Sequence, residues 1–150
     1  MNNGCIDISI YGEKNYKLFL EALKKELDRA KYTDLTAIQA LILLNINDDV
    51  VAIGEVMSRG YYLGSNASYN IKKLTNTGYI STVPSEYDKR SIIIKLTKKG
   101  IELCSKIDKA LNNHLELAIK RTKMKLDIQA GLEFLKNVER FWNEVLHNRI

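Results

Sequence analysis

The chain is poor in the residues on which disulfide-bonded, metal-binding and membrane proteins depend. It has two cysteines, Cys5 and Cys104, far apart in sequence. That usage does not suggest a secreted disulfide scaffold. It has two histidines, His114 and His147. Each stands alone on its predicted helix, without partners at zinc-ligand spacing, so no metal is expected. No apolar run is long enough to cross a bilayer, and Met1–Ser9 has no cleavable signal pattern, so a cytoplasmic location without membrane contact is expected. Gly54, Gly60 and Gly64 lack the spacing of a phosphate-binding loop. No Ser-His-Asp or Cys-His arrangement stands out, so neither catalytic residues nor a cofactor is expected. Proline occurs once, as Pro84. Lys, Asn and Ile are abundant, a bias that an AT-rich genome also produces, and there is no repeat or low-complexity segment.

What is present is a basic chain of 150 residues with net charge +5 and a pI of about 9.1. That length suits one domain with a sizeable core. The charge excess is modest, but its placement is informative. Lys72, Lys73, Lys89, Arg90, Lys95, Lys98 and Lys99 fall in or beside one segment, Gly64 to Gly100.

That segment predicts a helix, a hairpin with a charged tip, and the start of another helix. The helix is expected from about Ser65 to Thr77. Ala67, Ile71 and Leu74 recur at helical spacing and should face a core. Ser65, Tyr69, Lys72, Lys73 and Asn76 point the other way, with Asn66 and Ser68 on the flanks. Ser65 suits the N-cap, and Gly78 suits the left-handed residue after the last turn. Hydrogen-bonding side chains come first along the outward face and lysines later. This gradient suits a helix entering a major groove by its N-terminal end, with Ser, Asn and Tyr at base edges and Lys at phosphates.

Tyr79–Val83 and Arg90–Leu96 read as strands around the turn Pro84–Arg90. Asp88 and Arg90 are two apart on extended chain, so the carboxylate can orient the guanidinium, with Lys89 between them. An oriented Arg at a hairpin tip suits a narrow minor groove. An exposed ion pair with no such role would contribute only ~0–1 kcal/mol. Thr97 should cap a new helix. The DNA-facing candidates are therefore Ser65, Asn66, Ser68, Tyr69, Lys72, Lys73, Asp88, Lys89 and Arg90.

These residues also resemble a known family. Leu74, Gly78-Tyr79-Ile80, Asp88-Lys89-Arg90-Ser91 and Leu96-Thr97-Lys98-Lys99-Gly100 resemble the signature of MarR-family winged helix-turn-helix transcription regulators. Leu35-Thr36-Ala37-Ile38-Gln39 resembles the start of that family's second helix. A narrower likeness, over Ser58 to Leu74, is to LdtR-type regulators, which implies cell-wall or stress genes as targets. Tyr69 departs from the family pattern, where many members carry a basic residue, so the base preference of typical members does not transfer.

The expected fold is mainly α with a small β-hairpin wing. It is a single domain over 1–150, with the winged helix-turn-helix at about 33–100 and dimerisation helices at about 10–31 and 101–148. Met1–Ser9 reads as a short arm, followed by a helix from Tyr11 or Gly12 to Ala30. Thr33 or Asp34 should cap a buried helix over Leu35–Asn45. Asn47-Asp48-Asp49 reads as a turn, Ile53–Arg59 as a short helix ended by Gly60, and Tyr61–Leu63 as the turn of the motif. A long helix should run from Thr97 to a break near Lys125–Asp127. In the last helix Leu135, Val138, Trp142 and Val145 form an apolar stripe, widened by Phe134 and Phe141. A terminal helix that apolar predicts a two-fold homodimer, whose recognition helices read half-sites about 34–36 Å apart in palindromic double-stranded DNA. Packing of the stripe within its own chain is the alternative.

The family resemblance further implies a small-molecule effector in a cleft beside the dimer helices, where Tyr16, Leu20, Leu41 and Leu44 are candidate liners, and a repressor released by that ligand. Two alternatives stand beside this reading. Cys5 can be a redox switch, although no basic residue flanks it in sequence to stabilise a thiolate. Tyr61, Tyr62 and Tyr69 can be a protein contact patch in a winged helix that has lost DNA binding. Cys104 lies in an apolar helical stripe and reads as a small buried hydrophobe.

Overall fold

The structure is a computed structural model that describes residues 4–46, 51–59, 66–85, 92–123 and 125–147, the side chains of 57–59 excepted. The elements are α1 (Gly4–Arg29), α2 (Ala37–Ile46), β1 (Val51–Ala52), α3 (Ile53–Arg59), α4 (Ala67–Asn76), β2 (Ile80–Pro84), β3 (Ile92–Leu96), α5 (Lys98–Thr122) and α6 (Ile128–Leu146). The chain divides into two compact units, residues 1–112 and 113–150. The expected turns at Asn47–Asp49 and Tyr61–Leu63, and Gly60, lie outside the described residues.

The first unit holds the core. Leu23 and Leu27 of α1, Ile42, Leu43 and Ile46 of α2, Leu74 of α4, Ile94 of β3, and Leu103 and Ile107 of α5 are almost fully buried. The expected N-terminal arm is instead helical from Gly4, and Cys5 sits in its first turn. α1 buries only Leu23, Glu26 and Leu27, near its C-terminal end. It ends in a Schellman motif: the Tyr32 N–H donates to the Leu27 carbonyl at 2.8 Å and the Lys31 N–H to that of Asp28 at 3.1 Å. Lys31 takes the left-handed position at φ 64°, which glycine more often fills.

α2 starts two residues later than expected and has a different cap. Thr36 and Gln39 form a reciprocal capping box: Thr36 Oγ1 accepts from the Gln39 N–H at 3.2 Å, and Gln39 Oε1 accepts from the Thr36 N–H at 3.1 Å. Each bond satisfies a backbone donor that a helix start leaves without a partner. Asp34, one of the two expected caps, is engaged elsewhere.

The sheet has three strands in the order β1-β3-β2, all antiparallel. β2 and β3 pair from Ile80↔Leu96 to Pro84↔Ile92, so the expected hairpin forms, with Pro84 in the strand rather than the turn and Tyr79 ahead of it. β3 begins at Ile92, and the tip residues Asp88, Lys89 and Arg90 lie outside the described residues. β1 was not anticipated. Val51 and Ala52 pair with Ile94 and Ile93. A two-residue strand has no period to detect, and it becomes a strand only because β3 offers an open edge.

α5 is capped at Thr97, as expected: the Gly100 N–H donates to Thr97 Oγ1 at 3.2 Å. The same hydroxyl is 2.6 Å from the Gly78 carbonyl oxygen, and the Thr97 N–H donates to the Tyr79 carbonyl at 3.0 Å. Gly100 packs so closely on that Tyr79 carbonyl that an added Cβ would lie well inside van der Waals contact. In the second unit, α5 stops at Thr122, Lys123 has φ 52°, and Asp127 caps α6 by accepting from the Ala130 N–H at 2.9 Å. α6 buries none of its residues. Among the described residues, no helix is long and apolar enough to cross a membrane.

Candidate nucleic-acid interface

α4 is strongly two-sided. Ala67, Asn70, Ile71 and Leu74 are buried, while Asn66, Ser68, Tyr69, Lys72, Lys73 and Asn76 are exposed. Tyr69 is 65% exposed. The helix begins at Ala67 rather than Ser65. Asn66 takes the N-cap position without a side-chain cap bond, and Ser65 lies outside the described residues.

The C-terminal end of α4 is tied down tightly. Gly78 has φ 77°. Its N–H donates to Thr75 at 3.1 Å and the Tyr79 N–H donates to Leu74 at 3.0 Å, completing a second Schellman motif. The Tyr79 ring is buried, and its hydroxyl donates to the Asp34 carboxylate, 3.0 Å from Oδ1. Lys99 Nζ lies 4.0 Å from the Tyr79 ring centroid, donates to the Thr77 carbonyl at 2.9 Å, and approaches Asp34 at 3.8 Å. Lys99 therefore serves as an internal fastening as well as an exposed charge of the basic cluster. Lys95 and Lys98 are exposed.

Burial pushes the Tyr79 phenol above the usual tyrosine range, and the bond to Asp34 and its negative charge push the same way. A free tyrosine ionises near pH ~10. Above that pH the unfolded chain loses a proton that the native chain keeps, so native stability falls as pH rises. Tyr79→Phe is expected to lose the Asp34 bond, costing about 1–2 kcal/mol at neutral pH, and to flatten the alkaline decline. Urea midpoints measured at pH 7 and pH 10.5 check both effects.

α4 and the wing frame a cleft of about 340 Å³ lined by Ile53, Ser68, Ile71, Lys72, Thr75, Asn76, Thr82 and Ile92. Its isoleucines form an apolar floor, and polar groups and one ammonium line the rest. Ser68 and Lys72 of the expected interface thus line one cleft with the wing residues Thr82 and Ile92. Asn70, buried on the inward face of α4, lies outside the expected interface. A polar residue at i+3 from Ala67, on the apolar face, was the available signal.

The other candidates are more dispersed. Tyr16, Leu20, Leu41 and Leu44 are half-buried on α1 and α2, which pack together, and Leu41 and Leu44 lie against the core. Burial raises the Tyr16 phenol. Cys5 is exposed, and Cys104 is half-buried against the core. His114 and His147 are exposed, and a His147 ring nitrogen lies 2.7 Å from the Asn143 carbonyl oxygen. Among the described residues, no group of three or more His, Cys, Asp or Glu could hold a metal.

Residues 35–100 match the winged helix DNA-binding domain family. The chain is 31% identical over 130 residues to the exopolysaccharide II synthesis transcriptional activator ExpG of Rhizobium meliloti (strain 1021), a match covering 87% of this chain and 67% of that protein. The chain belongs to the MarR family of winged helix-turn-helix transcription regulators. Solved members share its fold at low identity. FabT of Streptococcus pneumoniae, solved in complex with DNA, has a TM-score of 0.71 at 20% identity, over 93% of this chain and 97% of that one. A mutant MarR from E. coli, solved in complex with operator DNA, has a TM-score of 0.66 at 19% identity, over 91% and 96%. BldR of Sulfolobus solfataricus has a TM-score of 0.69 at 17% identity, over 93% and 99%. In this MarR-type chain, β2 and β3 form the wing and α4 is the helix that precedes it.

Proposed function

We propose that this DNA-binding regulator acts as a two-fold dimer on an imperfectly palindromic operator, as a repressor that a small molecule releases. The observation that carries the reading is the sidedness of α4. Its apolar face is buried while Ser68, Tyr69, Lys72 and Lys73 are exposed together. In this reading Ser65, Asn66, Ser68 and Tyr69 meet base edges, Lys72 and Lys73 meet phosphates, and Asp88 orients Arg90 into the flanking minor groove. α1 and α6 supply the dimer contacts, because both leave large apolar side chains exposed, among them Ile6, Ile10 and Tyr11 on α1 and Leu132, Leu135 and Trp142 on α6. Tyr16, Leu20, Leu41 and Leu44 line the effector site, where a ligand that prefers one tilt of the DNA modules shifts the dimer away from operator spacing. ExpG is described as a transcriptional activator; where the operator lies relative to the promoter determines which sign holds here.

The test uses duplexes selected by the protein from genomic fragments. Lys72→Ala and Lys73→Ala should each lower the slope of log affinity against log salt by about 1, since each removes one phosphate partner. Arg90→Ala should weaken operator binding strongly with the fold intact. Unchanged slopes and affinities in all three variants would refute the assignment of this face.

A second reading rests on the exposure of Cys5. Exposure permits oxidation by peroxide to a sulfenic acid. Operator release under mild peroxide should then follow the mass change at Cys5 and disappear in Cys5→Ser. Release that persists in Cys5→Ser excludes it.

A further inference from the structure

Asn70 is the polar exception on the inward face of α4, 9% exposed among Ala67, Ile71 and Leu74. Its Oδ1 accepts from Gln39 Nε2 at 3.2 Å, and Gln39 is 4% exposed. The other end of the Gln39 carboxamide closes the capping box of α2 through the Thr36 N–H. One buried amide is therefore held by the first turn of α2 and in turn grips the middle of α4.

We propose that Gln39 and Asn70 are positioning residues that set the rotation of the recognition helix about its own axis, and so govern sequence discrimination. The proposal rests on the reading that the outward face of α4 meets base edges. Apolar packing is non-directional, so Ala67, Ile71 and Leu74 alone tolerate a small roll of the helix. A hydrogen bond does not, because it weakens steeply off its preferred angle. With a helix radius of about 5–6 Å including side chains, a roll of about 20° displaces an outward side chain by about 2 Å. That displacement breaks a bond to a base edge. The long, flexible stems of Lys72 and Lys73 absorb it and keep their phosphates.

Removing Asn70 alone strands the buried Gln39 amide, whereas replacing both partners by apolar groups leaves neither amide unpaired. The experiment therefore uses Gln39→Leu with Asn70→Leu, which also gives up the Thr36 cap bond, and separately Asn70→Leu, each first shown to be folded by a cooperative urea transition. The probes are a duplex selected by the parent protein from a random pool and a shuffled duplex of equal length. The affinity ratio between the two should fall by about tenfold or more, while affinity for the shuffled duplex stays within about threefold of the parent. An unchanged ratio in the folded variants, or an equal loss on both duplexes, overturns the proposal. Tyr69→Ala and Lys72→Ala run alongside. If neither alters binding to either duplex, the DNA-facing reading of α4 itself has failed, and the proposal falls with it.

Discussion

Gly100→Val is expected to cost about 3 kcal/mol or more, and Gly100→Ala a smaller but still clear amount. Helix propensity argues the other way, because alanine is favoured over glycine by up to about 1 kcal/mol in a helix. The contact decides the sign. A Cβ at Gly100 would run into the Tyr79 carbonyl oxygen. That oxygen cannot withdraw cheaply, because it accepts the Thr97 N–H at 3.0 Å and the Tyr79 ring is buried. The contact joins the first turn of α5 to the Tyr79 backbone just after α4, so the strain falls on the winged-helix module. Urea unfolding should show a lower midpoint with an unchanged slope. Gly131→Ala is the matched control: an added Cβ there meets nothing within 4 Å, and stability should rise by about 0.5–1 kcal/mol. Equal midpoints for parent and Gly100→Ala would show that the two backbones do not approach as described.

Trp142→Glu is expected to convert a dimer into a monomer and to lower operator affinity by about a hundredfold or more. The side chain is 40% exposed and lies edge to face with Phe141, ring centroids 4.9 Å apart. It belongs to an α6 face on which Leu132, Leu135, Val145 and Leu146 are also exposed. Such a face is a strong candidate for an interface between two copies. A carboxylate at its centre must be desolvated on association, and an aromatic anchor typically supplies about 2–4 kcal/mol, which is about thirtyfold to a thousandfold in the dimerisation constant. Because α6 buries none of its residues, helicity should survive. Operator binding falls because two linked modules gain from effective concentration, and one alone does not. Sedimentation and titration on a selected duplex check both parts. A parent that is already a monomer at working concentration, or a variant that stays dimeric, would rule out this use of α6.

Much of the winged helix-turn-helix was legible along the chain because its decisive signals are local. The spacing of Ala67, Ile71 and Leu74 defines an inward face wherever the helix is placed. Gly78 supplies the left-handed residue that a Schellman ending needs, and Thr97 supplies a hydroxyl where α5 begins. β2 and β3 announce themselves through β-branched residues on either side of a turn. Each of these depends on atoms within a few residues of one another, so the linear order of side chains suffices.

The fold supplied what depends on distant atoms meeting. Val51–Ala52 is a strand only because Ile93 and Ile94 lie beside it. Asp34 reads as a cap until Tyr79, forty-five positions later, brings its hydroxyl there. Lys99 looks like another surface charge until the Tyr79 ring and the Thr77 carbonyl surround it. Gln39 and Asn70, thirty-one positions apart, become a pair only when α2 packs against α4. A side chain at position 100 is forbidden by a carbonyl that the chain brings back from just after α4. Local periodicity determines which face of an element turns inward. Which polar group that face then meets is settled by packing, because a buried donor must find its acceptor wherever the chain happens to deliver one.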